Sequence, residues 1–324
     1  MTRRRGPTRK RRAASRLGVL VTVPFAEAQL ERLRRVSSRL TVTQAKPESA
    51  DYTAADVLYA VTLPRDLSRA PNLSWVQVHM AGVNGLYEHP IYANGAIALT
   101  TASGVHAATV AEYAMTTLLA LAHRVPRMVE WQGKGIWPPD EQRWPLFVPT
   151  PVRGATLGVI GYGSIGRELA RIAKTALGDA AGALPDEWFS PERLDALLAR
   201  SDVVVMCAPL TRETHHMIGA RALRAMKPTA YFINVGRGAS VDEDALAQAL
   251  KERRIAGAAV DVFAQEPPPS GHPLYAVDNV IVSPHVSGFV ASYDDDCARL
   301  FAENLRRRLS GKPLLNLVDR AKGY

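Results

Sequence analysis

Between an apolar stretch of strand length and a helical pattern, residues 157–166 read Leu157-Gly-Val-Ile-Gly-Tyr-Gly-Ser-Ile-Gly166 and contain the spacing Gly161-x-Gly163-x-x-Gly166. In that setting the spacing is specific for a dinucleotide phosphate site. Gly161 suits the tight turn, Gly163 lets backbone approach a pyrophosphate, and Gly166 allows close packing of helix on strand. Ser164 and Ile165 offer amides at a helix N-terminus, where aligned peptide dipoles favour an anion. Three later residues have types that work together. Arg237 stands between two glycines after an apolar run, Glu266 precedes Pro267, and His285 follows the last apolar run. A planar guanidinium grips a carboxylate with two parallel hydrogen bonds and polarises a carbonyl beside it. An imidazole passes protons near neutral pH, and an adjacent carboxylate orients it and stabilises its charged form. Singly, each has an ordinary reading as a solvated charge, a turn end or a loop residue. The ordered set behind a dinucleotide fingerprint is what argues for a site.

Elements able to position such residues recur along the chain. Short apolar runs at residues 17–23, 57–61, 75–78, 97–100, 157–161, 203–208, 230–235, 257–262 and 280–283 alternate with helix-like stretches, the rhythm of a parallel α/β architecture. The pattern predicts helices over 26–36, with Leu30 and Leu33 on one face, from the glycine turn to about residue 177, through Leu198 after a Ser190-Pro191-Glu192 cap, and over 293–309. Residues 105–123 form a further apolar segment of helix length, and the Trp- and Pro-rich stretch 131–151 reads as an arm or linker.

Around the three polar residues the sequence resembles the D-isomer-specific 2-hydroxyacid dehydrogenase family. Phe232-Ile-Asn-Val-Gly-Arg-Gly-Ala-Ser-Val-Asp242 is similar to its arginine signature, residues 259–267 to its glutamate segment and residues 282–288 to its histidine segment. Met80-Ala-Gly-Val-Asn84 resembles its substrate-carboxylate loop, and residues 102–112 the helix entering its cofactor domain. The resemblance implies an α/β protein of two Rossmann-like parallel-sheet domains, the cofactor domain inserted into a discontinuous flavodoxin-like substrate domain. The expected limits are 17–103 plus 290–324 for the substrate domain and 104–289 for the NAD(P)-binding domain, closing on each other during hydride transfer. It also implies reduction of a small 2-keto acid, glyoxylate or hydroxypyruvate first, to the D-2-hydroxy acid with NAD or NADP as cofactor. Arg237, Glu266 and His285 are the implied catalytic set, and the amides of Gly82 and Val83 a second grip on the substrate carboxylate. Asp261 would receive the nicotinamide carboxamide, although an aspartate ending a strand is also a common turn former. Val110, Thr109, Cys207, Pro209 and Val235 would line the cofactor pocket, Cys207 as an apolar wall, because a lone thiol without a cationic neighbour has no means of activation. A homodimer through residues 105–151 is implied as well.

One part departs from the family pattern. A second strand ending in an acidic residue about 20 residues after the glycines should hold the adenosine ribose. Residues 178–189 contain no Val/Ile-rich run, and Asp186, near the expected offset, follows a proline. The chain is short there by roughly two dozen residues against the pattern, so the residues that choose between NAD and NADP are absent. A disabled or non-catalytic nucleotide-binding protein on the same scaffold is the competing reading, opposed by the three-residue set.

Composition narrows the rest. No apolar run approaches the ~20 residues that span a bilayer. Eight of the cations behind the formal charge of +9 stand in residues 1–16, which hold no acid, leaving +1 on the remainder. That arm reads as solvated and disordered, with nucleic-acid contact the lesser reading. A secretory reading of residues 17–28 would delete the first strand of a domain. Two cysteines, Cys207 and Cys297, exclude a disulfide scaffold and fit a reducing cytoplasm. The histidines at 79, 106, 215 and 216 lack metal-ligand spacing, so no metal is expected.

Overall fold

The computed structural model describes residues 16–176 and 185–324. All but the last residue of the basic arm, residue 177 at the expected helix end, and residues 178–184 of the stretch expected to lack a strand lie outside them. The chain runs through β1 (Leu17–Val21), α1 (Glu27–Arg34), β2 (Leu40–Gln44), β3 (Val57–Ala60), β4 (Trp75–Val78), α2 (Pro90–Ala93) and β5 (Ala98–Thr100). It continues through α3 (Ala107–Ala122), α4 (Val125–Gly133), α5 (Asp140–Phe147), β6 (Leu157–Ile160), α6 (Ser164–Ala176), α7 (Leu194–Arg200) and β7 (Val203–Met206). Last come α8 (Ala220–Ala225), β8 (Tyr231–Asn234), α9 (Glu243–Lys251), β9 (Gly257–Val260), β10 (Val280–Val282) and α10 (Tyr293–Leu309). The segments fall into two compact units, Met1–Ala102 with Ser292–Tyr324, and Ser103–Ala291.

The first unit is a parallel sheet in the order β2-β1-β3-β4-β5. Side chains alternate across a strand, so Leu20, Leu58, Val76, Val78 and Leu99 pack on one face with Leu86 and Ile91. On the other, Tyr59 and Trp75 meet Phe301 of α10, with ring centroids 4.8 and 5.3 Å apart. β2 was not among the sequence runs: its Thr41, Gln44 and neighbours are largely exposed at the sheet edge, so it carries little apolar signal.

The second unit is a parallel sheet in the order β10-β9-β8-β7-β6. The same alternation sends Val203, Val205, Tyr231 and Ile233 against α3, and Val204, Met206, Phe232 and Val260 against Leu223, Leu246 and Leu250. Both faces are therefore buried, as a parallel sheet requires. The Trp/Pro-rich stretch read as a linker folds instead into α4 and α5, short helices with Trp137 and Trp144 largely exposed. Among the described residues, none of the helices is long and apolar enough to cross a membrane.

Candidate active site

The glycine turn joins β6 to α6 within the second unit. Gly161 has φ +97°, and a Cβ there would lie 2.6 Å from the Ala208 backbone. A Cβ on Gly166 would lie 2.3 Å from the Gly161 carbonyl oxygen, whereas one on Gly163 would meet nothing within 4 Å. Two glycines therefore serve the fold and the middle one faces open space, which a side chain would fill and a pyrophosphate needs. Helix α6 starts at Ser164, so the amides of Ser164 and Ile165 precede any helical carbonyl partner. These residues fit a dinucleotide. Cys207 donates from Sγ to the Gly161 carbonyl at 3.0 Å, and burial pushes its thiol up to about 12, which leaves it unreactive. Pro209 accepts through its carbonyl from Thr214 Oγ1 at 2.8 Å, and Val110 and Val235 are buried.

Among the described residues β6 is the last strand of the sheet on this side. Among the described residues between α6 and β7 there is no strand, and β6 pairs with β7 alone. Asp186 is exposed in a bend, 3.0 Å from Lys174 Nζ, and Trp188 lies edge-on to Tyr162 of the glycine turn with centroids 4.9 Å apart.

The three polar residues sit at ends of β8, β9 and β10. After β8, buried Asn234 accepts from the Gly236 amide at 3.1 Å and donates to the Arg237 carbonyl at 3.2 Å, which fixes the arginine turn. Gly238 then packs so tightly on the next loop that a Cβ would stand 1.8 Å from the Phe263 carbonyl carbon. In that loop Glu266 Oε1 accepts from the Phe263 amide at 2.9 Å, and its Oε2 lies 2.7 Å from His285 Nδ1. The contact assigns the Nδ1 proton to the glutamate side and leaves Nε2 for another partner. His285 has φ +55°, a left-handed conformation that is uncommon for a residue with a side chain.

Asp261 holds that conformation in place. Its carbonyl accepts from the His285 amide at 2.8 Å. Its carboxylate accepts from Ser283 Oγ at 2.6 Å and from the amides of Val286 and Ser287 at 2.9 and 3.0 Å. Tyr113 Oη hydrogen-bonds Ser283 in turn. The side chain read as a carboxamide acceptor has no exposed surface and faces the histidine segment.

Gly288 packs on the ring of His106, where a Cβ would lie 2.9 Å from Cδ2. Desolvation first, then the charges of Arg237 and His285, hold its imidazole below the usual range. The spacing around Asn234 and Ser283 was the available signal for the supporting bonds. Gly82 and Val83 lie in the first unit, where Val83 is buried and its carbonyl accepts from the Leu86 amide at 2.8 Å. Their loop is tied by Tyr293 Oη to the His79 carbonyl at 2.7 Å and by the Ala102 amide to the Met80 carbonyl at 2.8 Å.

A pyrophosphate-shaped glycine turn and a carboxylate-held imidazole in one parallel-sheet unit define a dinucleotide-dependent oxidoreductase. Residues 115–287 match the NAD binding domain of the D-isomer specific 2-hydroxyacid dehydrogenases. A glyoxylate reductase from Thermococcus gammatolerans is 35% identical over 312 residues, covering 91% of this chain and 86% of that protein. The structure of a D-isomer specific 2-hydroxyacid dehydrogenase from Xanthobacter autotrophicus, in complex with NADPH and MES, matches with a TM-score of 0.79 at 28% identity. The match covers 96% of this chain and all of that one. An NADPH-dependent glyoxylate/hydroxypyruvate reductase from Sinorhizobium meliloti, in complex with NADP and sulfate, matches with a TM-score of 0.77 at 25% identity, over 95% of this chain and all of that one. The chain belongs to the D-isomer-specific 2-hydroxyacid dehydrogenase family, and is an NAD(P)-dependent enzyme interconverting 2-keto and 2-hydroxy acids.

Proposed function

We propose that the protein reduces glyoxylate or hydroxypyruvate in the cytoplasm, with Arg237, Glu266 and His285 as its catalytic residues. The single observation carrying this reading is the 2.7 Å contact of Glu266 Oε2 with His285 Nδ1, in a loop against which the glycine after Arg237 is packed. Arg237 binds the substrate carboxylate and polarises the neighbouring carbonyl. The bound nicotinamide supplies hydride to the carbonyl carbon. Negative charge grows on the carbonyl oxygen, and His285 donates its Nε2 proton there. Glu266 keeps the ring oriented and favours the imidazolium before transfer. The amides of Gly82 and Val83 take a share of the substrate carboxylate. Gly161, Gly163, Gly166, Ser164 and Ile165 bind the pyrophosphate, while Val110, Cys207, Pro209 and Val235 back the cofactor pocket.

The adenosine half of the cofactor is held weakly on this reading, because among the described residues β6 is a sheet edge with no strand-borne carboxylate beside it. Substrate and cofactor are the main partners, with a second copy of the chain joining through residues 105–151. Val125, Met128, Val129, Ile136, Trp137 and Trp144 support that dimer, being apolar and exposed on or beside α4 and α5. The test is a fluorescence titration with NADH and NADPH, followed by turnover assays on glyoxylate and hydroxypyruvate. Saturable binding with turnover is expected; absence of binding to either cofactor overturns the proposal.

A further inference from the structure

Behind the Glu266–His285 contact lies a second carboxylate–imidazole pair. Glu243 Oε2 is 3.1 Å from His272 Nε2, and the two side chains are only 16% and 8% exposed. Glu243 opens α9, whose start is fixed by Asp242 accepting from the Ala245 amide at 3.0 Å. Its other oxygen, Oε1, accepts from the Ala264 amide at 2.7 Å. His272 Nδ1 accepts from the Leu274 amide at 3.4 Å and the ring stands edge-on to Phe263, centroids 5.1 Å apart. With Nδ1 accepting, Nε2 carries the proton and donates to Glu243. Glu243 thus holds Ala264 and His272 packs on Phe263, and the Phe263 amide is the donor to Glu266 Oε1 at 2.9 Å. Gly238, beside Arg237, closes on the same two residues from the other side.

We infer that Glu243 and His272 are positioning residues, a buried brace that fixes the 263–266 loop and through it sets Glu266 against His285. The inference rests on the reading of Glu266 and His285 as the working pair. A carboxylate in hydrogen-bond contact with a ring nitrogen stabilises the imidazolium only while the contact is kept short and directed. A buried pair on a capped helix supplies that rigidity, whereas the Glu266 and His285 side chains are themselves 38% and 49% exposed. His106 and Arg237 stand near His285 in this corner.

Two shape-preserving substitutions test the brace. His272→Asn retains an acceptor for the Leu274 amide and loses the bond to Glu243. Glu243→Gln retains an oxygen for the Ala264 amide and presents an NH2 to the Nε2 proton. A misplaced Glu266 leaves the His285 ring free to turn, which slows proton donation without touching the hold of Arg237 on the substrate carboxylate. We expect kcat for glyoxylate to fall about ten- to a hundredfold in both variants while its KM stays within about twofold of the parent's, and the solvent deuterium isotope effect on kcat to rise as proton donation slows. Melting temperature and the NADH dissociation constant stay near those of the parent. Unchanged kcat and isotope effect in both would overturn the brace, as would a loss of activity matching a loss of folded protein with the isotope effect unmoved. Glu266→Gln is measured alongside: if it too leaves kcat and isotope effect unchanged, the working pair itself is wrong, whereas a change there without one in the brace variants rejects the brace alone.

Discussion

Two ends of the second unit's sheet are built in contrasting ways. At the β8–β10 end, Asn234, Asp261 and Glu266 each make two or more hydrogen bonds to backbone or neighbouring side chains, and Gly238 brings two loops into backbone contact. At the β6 end, no further strand stands beside β6 among the described residues, and Asp186 and Glu187 are tied there by surface ion pairs, Lys174–Asp186 and Arg200–Glu187. Buried, fully bonded polar groups specify one arrangement, whereas exposed ion pairs contribute on the order of 0–1 kcal/mol each. The described residues therefore fix the end where the proposed chemistry occurs through buried hydrogen bonds, and the β6 end through surface ion pairs.

Removing the proton donor should produce the largest change. His285→Ala is expected to lower kcat by about 10²–10⁴, the usual contribution of a positioned acid, with little change in NADH affinity. Steady-state kinetics beside a binding titration would show this, and wild-type turnover would mean that the well-defined end is only structural. Arg237→Ala comes next. Losing two charge-assisted hydrogen bonds of about 1.5–3 kcal/mol each should reduce kcat/KM by about 10²–10⁴, with a marked rise in KM for glyoxylate. A rise in KM for NADH alone would instead assign Arg237 to the cofactor.

The glycines sharpen the contrast because identical substitutions should diverge. In Gly238→Ala the new Cβ would fall 1.8 Å from the Phe263 carbonyl carbon, so the loops must part. Overpacking of this kind costs about 1–3 kcal/mol, seen as a lower melting temperature. In Gly163→Ala the Cβ enters empty space, so stability should hold while NADH binding weakens by several-fold. Equal melting-temperature losses in the two variants would contradict the open cradle.

Much of this was legible in the sequence because buried parallel strands are continuous apolar runs, and nine of the ten strands among the described residues stand out that way. β2 did not, because at an edge Thr41 and Thr43 share its short span with exposed residues and alternation is faint. α4 and α5 were hidden by Pro126, Pro138, Pro139 and Pro145, which read as breakers although the first three fall at or before helix starts. Arg237, Glu266 and His285 could be picked out because each stands where a strand ends, a place parallel folds reserve for ligands. Their supports could not. Glu243 reads as an ordinary first-turn acid and His272 sits in a Pro/Gly-rich stretch, 29 residues apart, and only the folded chain brings them under one loop. The bonds of Asp261 were hidden for a similar reason, since nothing local shows that Ser283, Val286 and Ser287 would reach its oxygens.

The smallest expected effects lie beside β6 and test what the described residues there contribute to binding. If no residue there grips the adenosine, reduced nicotinamide mononucleotide should bind within about tenfold of NADH, since only about 1.4 kcal/mol or less then separates them. Asp186→Asn should matter less still. Its partner Lys174 is the only cation it is paired with among the described residues, and the carboxylate is 90% exposed, so stability and NADH affinity should both stay unchanged. A strong loss of NADH binding with mononucleotide binding intact would reverse this: Asp186 would then hold the ribose without a strand to present it. The Lys174 contact makes that outcome decidable, because Lys174→Met frees the same carboxylate without removing it. A ribose-binding Asp186 should then gain affinity for NADH, whereas a surface ion pair should leave it where it was.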